Sequence, residues 1–176
     1  MKFSFRSFSV FTVVALGLAA SALVPAFGQE GGKNEAGGFV GLLHGDGSNQ
    51  TAFGGEYTAT ASKSIGINAK LGYSRDSEGG ITTNSYFMSA GPQYFFPVAS
   101  SSKVRPFAGV GVGMLHVGAD TNGWGSASVN KFSVNFGGGV RLDVSKKWVV
   151  KPEFNVIKAV DIPVYESITC GIAYRF

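Results

Sequence analysis

The stretch Ile65–Ser74, IGINAKLGYS, alternates without a break. Ile65, Ile67, Ala69, Leu71 and Tyr73 fall on one face, and Gly66, Asn68, Lys70, Gly72 and Ser74 on the other. Successive side chains of an extended chain point to opposite sides, so this is a strand with one apolar and one polar or small face. The phase recurs along the chain. Residues 131–143 set Phe132, Val134, Phe136, Val140 and Leu142 against Lys131, Ser133, Asn135, Arg141 and Asp143. Residues 168–176 set Ile168, Cys170, Ile172, Tyr174 and Phe176 against Thr169, Gly171, Ala173 and Arg175. Glu56, Arg105, Lys151 and Glu153 keep to the polar faces of their own strands.

Extending this reading, strands are expected near 36–44, 51–61, 64–75, 82–96, 103–117, 129–144, 147–158 and 165–176. Links 62–63, 98–102 and 145–146 are tight, whereas 45–50, 76–81, 118–128 and 159–164 are longer and rich in Gly, Asp, Asn or Ser. Tight turns at one end, longer loops at the other and an even strand count predict an all-β fold, an eight-stranded antiparallel up-and-down transmembrane barrel. Strand one shows no clear phase. Phe87, Phe95, Phe107 and Ile157 fall on the polar face against the rule, and Pro92, Pro106 and Pro152 interrupt ladders to which they cannot donate.

Alternation alone does not separate a lipid-facing wall from a soluble core, but three features favour lipid. The apolar faces carry aromatics near both ends: Tyr94, Phe96, Trp148, Tyr174 and Phe176 at the expected periplasmic rim, and Phe53, Tyr73, Tyr86 and Phe132 at the outer rim. Paired aromatic girdles belong to a barrel crossing two membrane–water interfaces. The inner face carries Glu56, Lys70, Arg105, Arg141, Lys151 and Glu153, and unpaired ions in a dry core would cost several kcal/mol each. Inward positions are also often glycine (Gly66, Gly72, Gly91, Gly109, Gly111, Gly113, Gly137, Gly139, Gly171). A narrow eight-strand interior needs such small neighbours beside long charged side chains.

The 176 residues suit one domain. Lys2 and Arg6 precede an apolar or small run from Val10 to Val24, and Ala26 and Gly28 supply a small-x-small site. Residues 1–28 are therefore expected to be a cleaved signal peptide, 29–35 a flexible lead-in and 36–176 the barrel domain. Pro25 breaks the run short of the roughly 20 residues a membrane helix needs. No cysteine stands near Gly28 to take a lipid anchor, and Cys170, the sole cysteine, has no internal disulfide partner. Losing Lys2 and Arg6 lowers the formal charge from +4 to +2, and no basic cluster suggests nucleic acid.

Thr169-Cys-Gly-Ile-Ala-Tyr-Arg-Phe176 resembles the C-terminal assembly signal of bacterial outer-membrane barrels, polar-x-Gly-x-x-aromatic-x-aromatic. Thr169, Gly171, Tyr174 and Phe176 fill its specified places. GPQYFFPV at 91–98, VRPFAGVGVGM at 104–114 and FGGGVRLDVSKKWVVKPEFNVI at 136–157 look like the OmpA/OmpX-like outer-membrane β-barrel (porin) family. The resemblance covers about residues 36–176. It implies export to the outer membrane of a Gram-negative envelope, periplasmic chaperones and insertion by the barrel-assembly machinery. It also implies contact with outer-membrane lipid and lipopolysaccharide, and no single activity. The sequence ends at Phe176 without a counterpart of the peptidoglycan-binding domain that OmpA carries, so a barrel alone, as a monomer, is expected.

Catalysis has little to stand on. His44 and His116 are the only histidines, and Val117 and Gly118 follow His116, so the His-x-Ser arrangement of lipid A deacylases is missing. His44-Gly45-Asp46 reads as polar coating. No ligand spacing indicates a metal. Gly109, Gly111 and Gly113 alternate on a strand face and open no helix, so no nucleotide loop or other cofactor is expected. Glu56, Lys70, Arg105, Arg141, Lys151 and Glu153 form the best constellation. They read as an internal salt-bridge plug, with Glu153, Lys151 and Arg141 placed to pair with one another. A narrow pore is the alternative: four cations against two anions give the face a formal +2, favouring anions. A soluble lipocalin-like carrier ranks third, because Gly123 and Trp124 come too late for that family's early Gly-x-Trp. Asp46, Asp76, Glu78, Asp120, Asp161 and Glu166 in loops, and Lys63, Lys103, Lys146 and Lys147 in turns, read as solvated decoration. Cation-bridged contact with lipopolysaccharide phosphates is the rival reading.

Overall fold

A computed structural model describes residues 34–45, 47–78, 81–99, 102–121 and 125–176. The expected signal peptide, most of the lead-in, Asp46, Gly123 and Trp124 lie outside the described residues. Eight strands follow in order: β1 (Glu35–Gly45), β2 (Ser48–Thr60), β3 (Ile65–Glu78), β4 (Ile81–Phe95), β5 (Val104–Thr121), β6 (Gly125–Asp143), β7 (Trp148–Ala159) and β8 (Val164–Arg175). Each pairs antiparallel with the next, and β8 closes onto β1, where Glu35 meets Arg175 and His44 meets Glu166. Closure satisfies the backbone all round the wall, which an open sheet edge in lipid could not do.

Alternation decides what faces where. In β3, Ile65, Ile67 and Leu71 are exposed while Lys70 and Ser74 are buried; in β8, Ile168 and Ile172 are outside while Thr169 and Ala173 are inside. Val40, Leu42, Phe53, Val110, Val112 and Phe136 extend the same exposed apolar band. Soluble monomers rarely expose contiguous apolar patches beyond a few hundred Å², whereas a continuous band around a closed barrel suits acyl chains.

The irregularities have physical causes. β1 lacked a phase because both of its faces are apolar: Val40 and Leu42 point out, while Phe39 and Leu43 are buried inside. The prolines sit on the outward face, and the ladder has gaps at two of them. β4 and β5 pair at Ala90–Val112 and again at Gln93–Gly109, skipping Pro92. β6 and β7 pair at Gly139–Glu153 and again at Leu142–Val150, skipping Pro152.

The expected loops at the end opposite the termini are mostly strand. β3 runs to Glu78, β5 to Thr121, and β6 begins at Gly125. Past the apolar band both faces are polar or small, so the period-two hydrophobic signal stops while the hydrogen-bond ladder continues. β6 pairs with β5 from Gly125 onward but meets β7 only from Ser133. The β5–β6 hairpin therefore extends past its β7 neighbour. At the near end, β1 starts at Glu35, one residue inside the expected lead-in.

Candidate functional site: barrel interior and outer rim

The interior is built in three levels. At the terminus end, Glu35, 1% exposed, accepts from two guanidiniums: Arg141 Nη2 lies at 2.7 Å and Arg175 Nε at 3.2 Å. Asp143 completes the cluster, 3.5 Å from Arg141 Nε and in contact with Arg175 Nη2. The rings of Phe95 and Phe107 meet edge to face at 6.3 Å, and the Arg141 guanidinium lies 5.4 Å from the Phe95 centroid.

Two ion pairs cross the middle. Lys70 Nζ lies 2.7 Å from Glu153 Oε2, and Lys151 Nζ 2.7 Å from Glu56 Oε1. In a ring of eight strands β3 and β7 stand opposite one another, so the Lys70–Glu153 bond spans the lumen. The Lys151 and Glu56 side chains are each 3% exposed, and such burial is tolerable because the charges are matched. Gly171 makes the room: a Cβ there would stand 3.0 Å from Glu56 Oε1. A cavity of about 30 Å³ adjoins this level, lined by Asn68, Gln93, Asn135, Glu153 and Asn155. Gln93 Oε1 and Asn135 Oδ1 have no partner among the described residues, and a polar space of this size suits ordered water.

Toward the far end apolar side chains fill much of the interior, among buried Gln50, Ser74, Ser85, Ser133 and Ser167. Phe39, Leu43, Ala52, Phe87, Leu115, Ile157, Ala159 and Tyr165 form one buried cluster, with Val117 and Ile162 packed against it. Gly72 admits Phe87, because a Cβ at Gly72 would lie 2.1 Å from the ring. Ser74 Oγ donates to Gln50 Oε1 at 2.7 Å within this level.

The six charges singled out in the sequence therefore part company. Glu56, Lys70, Lys151 and Glu153 meet as two cross-lumen pairs. Arg141 belongs to the separate cluster with Glu35, Asp143 and Arg175. Arg105 joins neither; its Nη1 donates to the Lys63 carbonyl at 3.3 Å. Glu153 pairs with neither Lys151 nor Arg141: it reaches Lys70 on β3, while Lys151, two residues away on the same strand, reaches Glu56 on β2, and Arg141 on β6 joins Glu35 on β1. Counting Glu35, Asp143 and Arg175, these two levels pair four acids with four bases, so their charge is balanced. Asp143 and Arg175 were on the inward phase and could have been found from it. Glu35 was hidden by its assignment to the lead-in.

On the outside, the aromatic residues form register rows. Phe53, Tyr73, Tyr86 and His116 are consecutive cross-strand partners, ending at Asn130 on β6. Ring centroids are 5.4, 4.8 and 5.7 Å apart along that row. Phe132 is exposed on the same face, two residues from Asn130. At the terminus end, Tyr94 and Phe96 meet at 5.2 Å, Trp148 and Tyr174 at 5.3 Å, and Tyr57 and Phe176 at 6.4 Å. The Phe176 N–H donates to the Asn34 carbonyl at 3.0 Å, tying the C-terminus to the start of β1. Thr169 is buried inside. Both histidines stand on the outer wall with a cross-strand asparagine: His44 Nδ1 is 2.9 Å from Asn49 Oδ1, and His116 Nδ1 is 2.7 Å from Asn130 Oδ1. Neither faces the other or the lumen charges.

Comparison with known proteins agrees with this geometry. No curated protein matches the sequence significantly. Among solved structures, Ail, the attachment invasion locus protein of Yersinia pestis, is 20% identical, with a TM-score of 0.58 over 82% of this chain and 97% of Ail. Neisserial surface protein A is 11% identical, with a TM-score of 0.66 over 82% and 96%. The N-terminal barrel of Pseudomonas aeruginosa OprF is 15% identical, with a TM-score of 0.59 over 83% and 100%. At these identities the likeness is one of fold. The model of the outer membrane protein beta-barrel domain matches residues 10–176. This chain belongs to that family of outer-membrane β-barrel proteins.

Proposed function

We propose that the protein is a non-enzymatic outer-membrane barrel with a structural or surface-contact role, its lumen closed rather than conducting. The filled interior carries this reading. The Lys70–Glu153 pair spans the barrel, and the cluster around Leu43, Phe87, Leu115 and Ile157 lies between that pair and the far end. An apolar constriction resists wetting, and ions cross it poorly. Counting Glu35, Asp143 and Arg175 beside the original six lowers the formal charge of that set from +2 to +1, which weakens the case for an anion-favouring pore. In the same reading residues 1–28 are a signal peptide and the monomeric barrel is inserted by the barrel-assembly machinery through Thr169, Gly171, Tyr174 and Phe176. The two aromatic sets serve as its girdles. Liposome swelling tests the closed lumen: vesicles carrying the protein should swell in small sugars no faster than empty vesicles. Swelling that rises with protein content would establish a pore.

A further inference from the structure

The cavity beside the Lys70–Glu153 pair is built from amides set against glycines. Asn68 stands opposite Gly91, Gln93 opposite both Gly66 and Gly109, Asn135 opposite Gly111, and Asn155 opposite Gly137. All four amide residues line the cavity, and Glu153 joins them. Two of the glycines make room for a lining oxygen directly. A Cβ at Gly111 would stand 2.5 Å from Asn135 Oδ1, and one at Gly137 would overlap Asn155 Oδ1.

What these side chains have to spare is acceptors. Gln93 is 5% exposed and its Oε1 has no partner among the described residues; Asn135 Oδ1 has none either. Asn68 spends its amide nitrogen on the Thr58 hydroxyl at 2.9 Å and the Tyr57 carbonyl at 3.4 Å, which leaves its Oδ1. Lys70 takes Glu153 Oε2 at 2.7 Å, which leaves Oε1. Buried acceptors without donors are costly, so a space lined by several of them calls for a positive or hydrogen-donating guest.

We infer that the cavity binds one monovalent metal cation, of the size and charge of sodium, through the side-chain oxygens of Asn68, Gln93, Asn135 and Glu153. Fixed carbonyl-type oxygens replace the hydration shell of such an ion. Volume and charge choose it. A space of about 30 Å³ takes an ion with a water beside it, not one in its full hydration shell. Glu153 is the only charged residue lining the cavity, and it already shares its charge with Lys70. Calcium and magnesium call for more carboxylate or more water than this. Lys70, on the other oxygen of the same carboxylate, repels the ion and keeps the affinity low. The site goes beyond the closed lumen and would stand if the lumen conducted, so the two readings fail separately.

The test is reversible urea unfolding of the protein without its expected signal peptide, in zwitterionic detergent, with sodium chloride or N-methylglucamine chloride at equal ionic strength. N-methylglucamine carries the same charge but is too large for the cavity. Exchanging it for sodium, up to about 0.1 M, should lower the unfolded-to-folded ratio about tenfold, the factor for a dissociation constant of about 10 mM. Gln93→Leu and Asn135→Leu each remove one oxygen and keep the bulk. Each should abolish most of the sodium effect, whatever it does to stability itself. Lys70→Met leaves Glu153 to the cation alone and should enlarge the effect, which a salt effect at the protein surface would not do. Equal ratios in the two salts for the unmutated protein would overturn the inference and leave the cavity to water. A sodium effect undiminished in both leucine variants, or reduced in Lys70→Met, would overturn it as well, by placing the ion elsewhere.

Discussion

Lys70 Nζ and Glu153 Oε2, 83 residues apart in sequence, lie 2.7 Å apart and join opposite walls of the barrel. The pair is buried on both sides, so removing one partner strands the other. Glu153→Ala should lower unfolding stability by about 3–5 kcal/mol, while Lys70→Met with Glu153→Leu should recover most of that loss. Urea titration in detergent, followed by tryptophan fluorescence, gives the comparison. Equal midpoints for Glu153→Ala and the unmutated protein would mean that the pair is solvated.

Gly72 lies against Phe87. A Cβ at this glycine would stand 2.1 Å from a buried ring in a packed cluster. Gly72→Val should therefore reduce the folded yield sharply, and Gly72→Val with Phe87→Ala should recover part of it by clearing the space. Folded and unfolded bands on unheated gels measure the fraction. No recovery in the double variant would place the fault elsewhere than this contact.

The last residues bear on assembly. Tyr174 packs on Trp148, and Phe176 bonds back to Asn34. Replacing Tyr174 and Phe176 by Ala should lower the amount of protein in the outer membrane several-fold and raise its degradation in the periplasm. Immunoblots of fractionated cells would show it. Wild-type levels of the variant would remove the case for an assembly signal.

A closed wall also predicts heat-modifiable migration. With no free edge for detergent to open, unheated protein in mild SDS should migrate apart from the boiled form. Co-migration of the two, with the protein in the soluble periplasmic fraction, would contradict a membrane barrel.

The wall was legible in the sequence because a half-lipid, half-lumen strand writes its own alternation: Ile65 to Ser74 fixes both faces of β3. The interior was less legible. Phe87, Phe95, Phe107 and Ile157 looked like exceptions, yet they are the apolar layers that fill a lumen whose middle is ionic. Which charges pair was hidden as well, because Lys70 and Glu153 meet across the barrel and nothing in their strands records the distance between walls. The β5–β6 extension was missed for a related reason: with polar residues on both faces, a strand has no hydrophobic period to read.

Single-channel recording on the unmutated protein in a planar bilayer tests the closed lumen most directly. With Lys70–Glu153 across the middle and the Leu43–Phe87–Leu115–Ile157 cluster beyond it, inserted protein should leave the current at the baseline of the bare bilayer. Steady open channels with a preference for anions would contradict the account and make the barrel a pore.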